Sequence, residues 1–459
     1  MKAQNTIAAI STAQAAGGIG VIRISGEQAK KIAEKVFTSA HGKKISTQKG
    51  YTALYGTVHK PHAPTQIIDQ AIALIFTGPA SFTGEDVVEL SCHGGLTIMK
   101  HVLRAVLEAG ATAAAPGEFS KRAFLNGKLG LTEAEAIMEL IHAQGEQAAK
   151  IALAGHNGAL EKRIGKIREQ LIEGAAHLSA WADYPEEDIP QIEPKKLKKR
   201  ITEAKEEIEK LLSQFEAGKA IREGINTVIA GRPNAGKSTL MNLLSGYERS
   251  IVTQIAGTTR DIVEETVLLG DILLRIADTA GLRETSDAVE KIGVEKAKER
   301  IKTAELVLAV FDSSQKLSAE DKALIQEVAG TQCIAIINKI DLKTQADIES
   351  IQKAFRHTIS CSAISGEGIK QLEQAVTELY GTSKLEPNQG ILYTERQREA
   401  AKRAKQSLTE AIAGIDQGMT LDAVTVSIEG AISSLLELTG ERATEAIVES
   451  VFSQFCVGK

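Results

Sequence analysis

Residues 231 to 238 read Gly-Arg-Pro-Asn-Ala-Gly-Lys-Ser, a pattern that can bind phosphates. An apolar run over 225 to 230 precedes it and a helix-like stretch over 239 to 244 follows, which is the order that a phosphate-binding loop requires. The glycines let backbone N–H groups face the α- and β-phosphates, Lys237 can reach the β- and γ-phosphates, and Ser238 can ligate Mg²⁺. The predicted nucleotide contacts of this loop are Asn234, Ala235, Gly236, Lys237, Ser238 and Thr239.

A second pattern, Asn338-Lys339-Ile340-Asp341, directly follows the apolar strand-like run from Cys333 to Ile337. The carboxylate of Asp341 can accept hydrogen bonds from N1–H and the 2-amino group of guanine, whereas adenine offers no such pair of donors. Ser362-Ala363 follows another apolar run and would supply a backbone N–H to guanine O6. The nucleotide is therefore predicted to be GTP, with base contacts from Asn338, Lys339, Asp341, Ser362 and Ala363.

Two segments between these patterns can respond to the γ-phosphate. Thr259, in the sequence Gly-Thr-Thr-Arg-Asp, is suited to contact both Mg²⁺ and the γ-phosphate. Asp278 follows a strand-like run over 273 to 277 and would lie behind the Mg²⁺ ligands, with Gly281 at the γ-phosphate. The predicted nucleotide contacts in these segments are Thr253, Gln254, Ile255, Ala256, Gly257, Thr258, Thr259, Asp278, Thr279, Ala280 and Gly281.

Leu282 occupies the position at which many GTPases carry the glutamine that orients the attacking water. Leucine has no polar group for this task, so hydrolysis needs another side chain. The residues alone leave Glu284, Asp287 and Glu290 open as candidates, although a charged residue in such a loop is more often simply solvated.

Composition limits the remaining alternatives. A chain of 459 residues predicts two to four domains, and its 4% aromatic, 43% hydrophobic and 25% charged residues are typical of a helix-rich globular protein. The net charge of −5 argues against extensive nucleic-acid coating, and the basic run over 195 to 200 is interpreted as a solvated helix face.

The cysteine pattern and the hydropathy predict the cellular compartment of the protein. The four cysteines have no C-x-x-C spacing, which favours a reducing compartment. Cys92 and His93 are adjacent on a predicted strand, so their side chains should point to opposite faces rather than form a nucleophile pair. No export signal is recognised and no apolar run reaches the roughly twenty residues that a membrane span needs. A cytoplasmic protein without membrane association is expected.

Periodicity divides the chain into predicted segments. The first part predicts strands at 18 to 25, 51 to 59, 68 to 76 and 86 to 91, and helices at 27 to 37 and 96 to 109. Helix-period sequence then continues to residue 217 and resumes at residue 394. We predict an α+β domain (1–118), a helical domain in two parts (119–217 and 384–459) and an inserted α/β Ras-like P-loop G domain (218–383). The two helical arms should bury their apolar faces against each other.

Three further segments carry a resemblance to a known family. They are Phe82 to Asp86, Gly117 to Leu129, and Cys456-Val457-Gly458-Lys459. Together with the ordered GTPase motifs they resemble the tRNA modification GTPases known as the MnmE or TrmE family, over essentially the whole chain. Gly130 departs from the family pattern, in which an acidic residue is expected at this position, and this bears on local loop geometry.

The resemblance implies a GTPase that acts with the FAD-dependent partner MnmG. The pair would install an aminomethyl or carboxymethylaminomethyl group at C5 of the tRNA wobble uridine, using 5,10-methylenetetrahydrofolate or 5-formyltetrahydrofolate. The N-terminal domain would form the homodimer and bind the folate through Arg23, Glu85, Lys128 and Lys459, which should converge on one cleft. A heterotetramer or larger complex with MnmG is implied. Cys456 matches a family cysteine, and its simplest interpretation is a small buried side chain.

The resemblance also implies activation by K⁺ and by pairing of G domains. Asn234, Thr253, Ile255 and Thr258 match the K⁺ positions, Asn234 through its side-chain oxygen and the others through loop carbonyls. A cation there would lie where an arginine finger places its charge. Glu290 matches the carboxylate that positions the hydrolytic water, and Mg²⁺ would be bound by Ser238 and Thr259.

Two other functions remain as alternatives. A purely regulatory GTPase in ribosome or RNA assembly would account for the G domain, and a folate-dependent one-carbon enzyme under GTPase control would account for the N-terminal positions. The regulatory alternative does not account for the N-terminal positions or the Cys456 to Lys459 segment, and no recognisable basic RNA-binding module is present in the sequence.

Overall fold

A computed structural model describes residues 5–183, 193–247, 264–277 and 299–459. The chain forms two compact units and crosses between them several times. The first contains Met1–Met138, His156–Lys205 and Glu399–Lys459, and the second contains Glu139–Gly155 and Glu206–Arg398. Among the described residues, no helix combines the length and apolarity needed to cross a membrane.

The first unit contains a seven-stranded sheet. Its strands are β1 (Ile7–Ile10), β2 (Ile19–Ser25), β3 (Phe37–Ser39), β4 (Thr52–Lys60), β5 (Ala63–Phe76), β6 (Val87–His93) and β7 (Thr112–Ala113). The spatial order is β3-β4-β5-β6-β2-β1-β7, antiparallel throughout except for the parallel pair β1 and β7. This α+β architecture and its four predicted strands are confirmed.

Helices α1 (Ala29–Val36) and α2 (Leu96–Glu108) pack on this sheet and close its core. Alternate residues of β2 such as Ile22 and Ile24 are buried in that core, which leaves Arg23 on the other face. Three strands, β1, β3 and β7, were not predicted. They are only four, three and two residues long, which is too short for a period to be recognised, and β1 is in addition buried on both faces.

Helices dominate the region after the first sheet and return near the end of the chain. They are α3 (Glu118–Leu125), α4 (Leu131–His142), α5 (Glu146–His156), α6 (Ala159–Asp183), α7 (Pro194–Glu223), α12 (Glu395–Asp416), α13 (Leu421–Thr439) and α14 (Glu445–Phe452). Within the first unit α6 packs on α13 and α3 packs on α14. An apolar cluster joins Ala123 and Leu131 of the first arm to Phe452 of the second. The predicted packing of the two helical arms is therefore confirmed.

The second unit contains a six-stranded sheet. Its strands are β8 (Ile225–Ala230), β9 (Glu264–Leu269), β10 (Ile272–Ala277), β11 (Leu306–Asp312), β12 (Cys333–Asn338) and β13 (His357–Ser360), and the associated helices are α8 (Lys237–Tyr247), α9 (Ala319–Glu327), α10 (Ile348–Ala354) and α11 (Ile369–Tyr380). The order is β13-β12-β11-β8-β10-β9, parallel except for the β9–β10 hairpin. Short 3₁₀ helices lie at Thr382–Lys384 and Pro387–Gln389 in this unit and at Ile45–Thr47 in the first unit.

Both faces of this sheet are covered by apolar side chains. Ile225 and Ile229 of β8 belong to one buried cluster, and Val228 and Ala230 belong to another. Because neighbouring strand residues point to opposite faces, these two clusters lie on the two sides of the sheet. The predicted α/β P-loop G domain is confirmed, whereas the proposed domain boundaries stay predictions.

Candidate functional sites

The nucleotide residues lie at one edge of the second sheet. The phosphate-binding loop follows β8, Asp312 ends β11, Asn338 ends β12, and Ser362 comes shortly after β13. These four strands are parallel, so their carboxyl ends meet at the same edge. Ligands of open α/β sheets bind in the crevice at that edge, which is where the sequence motifs are found.

The backbone of the phosphate-binding loop needs its glycine at position 236. Gly236 has a φ of 101°, and a Cβ added there would overlap the side-chain amide nitrogen of Asn338. Asn234 also has a positive φ, 62°, which asparagine tolerates better than most residues. The loop therefore approaches the guanine motif so closely that only a residue without a side chain fits.

Asn338 connects the phosphate-binding loop to the loop after β13. It is buried, its Nδ2 donates to the carbonyl oxygen of Ala235 at 3.0 Å, and its Oδ1 accepts from the backbone N–H of Ala363 at 3.0 Å. Both ends of the amide are thus used within the protein. The N–H of Ser362 likewise donates within the protein, to the carbonyl oxygen of Glu367. The bond from Ser362-Ala363 to guanine O6 therefore stays a prediction.

Asp341 and Lys237, two of the predicted ligand contacts, already make hydrogen bonds within the protein. The hydroxyl of Ser362 donates to Oδ1 of Asp341 at 2.6 Å, which orients a carboxylate that is otherwise exposed. The ammonium of Lys237 donates to the carbonyl oxygens of Gly231 and Arg232 at 2.7 and 3.0 Å, and burial lowers its pKa. A phosphate would compete with these carbonyls for the ammonium and favour the protonated form that burial disfavours.

Asp312 is a component of this site that the motifs did not reveal. Its Oδ2 accepts from the ammonium of Lys339 at 2.6 Å, and the same ammonium donates to the carbonyl oxygen of Asn234 at 2.7 Å. Burial alone would raise the pKa of Asp312, but hydrogen bonds from Lys339 and Ser314 outweigh it and hold the pKa below its ordinary value. The sequence feature that could have identified Asp312 is its position directly after the apolar run 306 to 311.

The N-terminal site residues are brought together in the first unit. Nε of Arg23 donates to Glu89 at 2.8 Å, and its guanidinium lies 5.6 Å from the ring centroids of both Phe82 and Phe119. The carbonyl oxygen of Gly458 lies 3.5 Å from the Nη1 of Arg23. The Cys456 to Lys459 segment therefore contacts the face of β2 that carries Arg23.

Glu85 is held by two partners that sequence reasoning missed. Its carboxylate accepts from the hydroxyl of Ser25 at 2.7 Å and from the Nη1 of Arg122 at 3.2 Å. Arg122 also donates to Glu118 at 2.8 Å, and only 5% of its side chain is exposed. Arg122 lies in the Gly117 to Leu129 segment, but a guanidinium in a helix carries no sequence signal of a partner 37 positions away.

Lys128 and Lys459 complete the group. Lys128 is exposed, and its Cγ lies close to Gly84, next to Glu85 in the chain. Lys459 is half-buried, and burial, followed by the neighbouring charge of Arg23, lowers its pKa. The structure thus places all four predicted residues around one region of the first unit. Their role in folate binding stays a prediction.

The structure describes the two cysteines for which the sequence made a prediction. Cys92 is buried, which raises its pKa to about 11, and the neighbouring His93 is exposed and paired with Asp69, so the prediction of opposite faces is confirmed. Cys456 is exposed, and the expectation of a buried side chain there was wrong.

Other predicted positions lie outside the described residues, namely Thr253, Gln254, Ile255, Ala256, Gly257, Thr258, Thr259, Asp278, Thr279, Ala280, Gly281 and Glu290.

Comparison with known proteins identifies the family. Residues 6–128 match the family model described as the GTP-binding protein TrmE N-terminus, and residues 131–456 match that of the MnmE helical domain. The tRNA modification GTPase MnmE of Clostridioides difficile strain 630 is 41% identical over 99% of both chains. Those of Geobacillus kaustophilus (40% identical, 99% of both chains) and Acetivibrio thermocellus (42%, 100% of both) are similar to the same extent. The chain therefore belongs to the MnmE family of tRNA modification GTPases.

Proposed function

We propose that this chain hydrolyses GTP to drive the modification of the wobble uridine in tRNA, with a folate as one-carbon donor. The observation that carries the proposal is the single hydrogen-bonded unit formed by the phosphate-binding loop, Asn338 and Asp341 in a chain that belongs to this family over its whole length. The GTP site supplies the energy-coupling step, and the N-terminal site supplies the place where a one-carbon donor binds.

Mg²⁺ would be bound at Ser238, with Thr259 as its second protein ligand. Ser238 is exposed in the first turn of α8, beside the loop whose backbone N–H groups would hold the phosphates, so its hydroxyl is accessible to a cation. Mg²⁺ at this position would neutralise part of the charge that develops on the phosphates during hydrolysis.

K⁺ activation and Glu290 form the finer part of the GTPase proposal. Asn234 supports it, because its side chain is exposed and its backbone carbonyl is already used by Lys339, which leaves its side-chain oxygen for a cation. Thr253, Ile255 and Thr258 would add carbonyl oxygens, and Glu290 would orient the attacking water.

GTP turnover measured in KCl and in NaCl tests this part. The parent chain should hydrolyse GTP faster in KCl, and Glu290→Ala should lose about 100-fold in turnover while keeping nucleotide affinity. Glu284→Ala serves as the matched control. Equal parent rates in both salts would reject the K⁺ role, and an inactive Glu284→Ala beside an active Glu290→Ala would move the catalytic assignment.

The N-terminal residues fit a folate chemically. The carboxylate of Glu85 has lone pairs left after its three hydrogen bonds and could accept from the amide and amino donors of the pterin. Burial and the charge of Arg23 lower the pKa of Lys459, so an anionic glutamate tail bound there would favour the protonated ammonium and be attracted to it. Lys128 adds a third, exposed cation.

The partners follow from the family. The chain would form a homodimer through its N-terminal domain and act with FAD-containing MnmG in a heterotetramer or larger complex in the cytoplasm. The bound folate would supply the one-carbon unit for an aminomethyl or carboxymethylaminomethyl group at C5 of uridine. The contribution of this chain would be to bind and orient the folate and to couple GTP hydrolysis to the reaction cycle.

Nucleoside analysis of tRNA from a deletion strain tests the proposal against its alternatives. Loss of the C5-modified wobble uridine, restored by the parent gene and not by a Lys237→Ala variant, is the expected result. Unchanged wobble uridine together with defective ribosomes would favour a purely regulatory GTPase. Unchanged tRNA with altered one-carbon metabolites would favour a folate enzyme under GTPase control.

A further inference from the structure

Arg232, the second residue of the phosphate-binding loop, lies between two buried carboxylates. Its Nη2 is 3.9 Å from Oδ2 of Asp312, and its Nε is 3.5 Å from Oδ2 of Asp321. The side chains of Asp312 and Asp321 are 1% and 2% exposed, and that of Arg232 is 15% exposed. Charges this deeply buried persist only when they are paired, so the guanidinium and both carboxylates depend on one another.

Asp321 is itself fixed by the start of α9. Its Oδ2 accepts from the backbone N–H and the hydroxyl of Ser318 at 2.9 and 3.0 Å, and the Ser318 hydroxyl accepts in return from the N–H of Asp321. This reciprocal arrangement is a capping box, which makes Asp321 a rigid anchor. In the part of the chain that the structure describes, neither Nε of Arg232 nor Oδ1 of Asp321 has a hydrogen-bond partner.

The same carboxylate of Asp312 controls both ends of the short segment 232 to 234. At one end it faces Arg232, and at the other it accepts from Lys339, which in turn donates to the carbonyl oxygen of Asn234. The carbonyl oxygen of Arg232 meanwhile accepts from the ammonium of Lys237. The path of the loop backbone therefore depends on two cations held by one buried acid.

We propose that Arg232 is a positioning residue of the GTPase site. Through Asp312 and Asp321 it fixes the first half of the phosphate-binding loop to the β11–α9 connection, so that the loop N–H groups and Lys237 are aligned for the β-phosphate. Arg232 does not contact the nucleotide in this role. Its effect should appear in recognition of the β-phosphate and not in recognition of the base, which Asp341 governs.

The affinities of GDP and GMP separate these two effects. GMP has the same base and sugar but no β-phosphate, so the ratio of the two dissociation constants isolates the contribution of the loop. Arg232→Ala should weaken GDP by about tenfold, because the misaligned loop N–H groups and Lys237 would lose part of their charge-assisted hydrogen bonds to the β-phosphate, and should leave GMP unchanged. Arg232→Lys, which retains the charge, should recover part of the loss. Arg356→Ala, at an exposed arginine of the same unit, is the control and should change neither affinity.

A double variant distinguishes positioning from simple stabilisation. Arg232→Ala leaves Asp321 buried without a counter-charge and should lower the melting temperature, whereas adding Asp321→Asn removes that charge and should restore it. The positioning role predicts that the double variant still has the weakened GDP preference and that Asp321→Asn alone shows a similar loss. Recovery of the parent GDP-to-GMP ratio in the double variant, or equal weakening of GDP and GMP in Arg232→Ala, would overturn the proposal.

Discussion

The nucleotide site and the N-terminal site differ in how the chain assembles them. The described nucleotide residues come from short contiguous motifs, each placed at or shortly after the end of a parallel strand, and backbone N–H groups are predicted to hold the phosphates. The N-terminal site joins Arg23 to Lys459 across almost the whole chain, and its candidate ligands are charged side chains. The motifs of the nucleotide site can be recognised from local sequence, whereas Lys459 reaches the N-terminal site from the far end of the chain.

This difference predicts where each site is sensitive. A site built on backbone geometry should fail when a side chain intrudes on the backbone. A site built from converging charges should instead fail when the salt bridge that orients one of them is removed. The following variants test that contrast, beginning with the largest expected effect.

Gly236→Ala should weaken GDP by roughly 100-fold, about 3 kcal/mol, because the added methyl group displaces the Asn338 amide from a loop that already has a positive φ. Isothermal titration calorimetry with GDP measures the loss. Gly246→Ala is the matched control: it lies in α8 with no atom near its added Cβ, and it should leave affinity unchanged. Parent-like binding by Gly236→Ala would mean that the loop does not need its glycine.

Asp341→Asn should weaken GTP by about 1–3 kcal/mol, the cost of leaving guanine donors without their acceptor. Xanthosine nucleotides should gain affinity at the same time, because their base presents the complementary pattern to an amide. Competition between GTP and XTP for the parent and the variant measures this exchange. Unchanged preference for GTP would place base recognition elsewhere.

Arg122→Ala should destabilise the first unit by about 1–2 kcal/mol, since Glu85 and Glu118 lose a nearly buried partner but keep some access to water. Hydrogen exchange of the amides in α3 under increasing urea reports the change. Arg104→Ala removes an exposed pair with Glu108 and should cost well under about 1 kcal/mol. Equal effects of the two substitutions would contradict a special role for Arg122.

The pH dependence of folate binding should show the smallest effect. The pKa of Lys459 is lowered in the free protein by burial and by Arg23, so a bound anion should favour the protonated form and raise this pKa. Affinity for 5-formyltetrahydrofolate should therefore decline as pH rises through the lowered pKa, in a range below the ordinary lysine value of 10.5. Lys459→Met should show a flatter profile, and an identical slope would remove Lys459 from the site.

Sequence alone predicted the nucleotide motifs because each depends on residues that are neighbours in the chain. Gly236 and Asn338 were both recognised, although their contact was not visible before the fold was known. Arg122 and Asp321 could not be found, since a charged residue in a helix looks solvated until its distant partner is in place. Strand β1 was missed for a related reason, because a short run buried on both faces has no period.

Calorimetric titration of the full chain with GDP and, separately, with 5-formyltetrahydrofolate tests the existence of two separately built sites most directly. The parent should bind both ligands, Gly236→Ala should lose GDP and keep the folate, and the double substitution Arg23→Ala with Glu85→Ala should lose the folate and keep GDP. Binding of the folate by the double variant with parent affinity, or by none of the three proteins, would contradict the account of the N-terminal site.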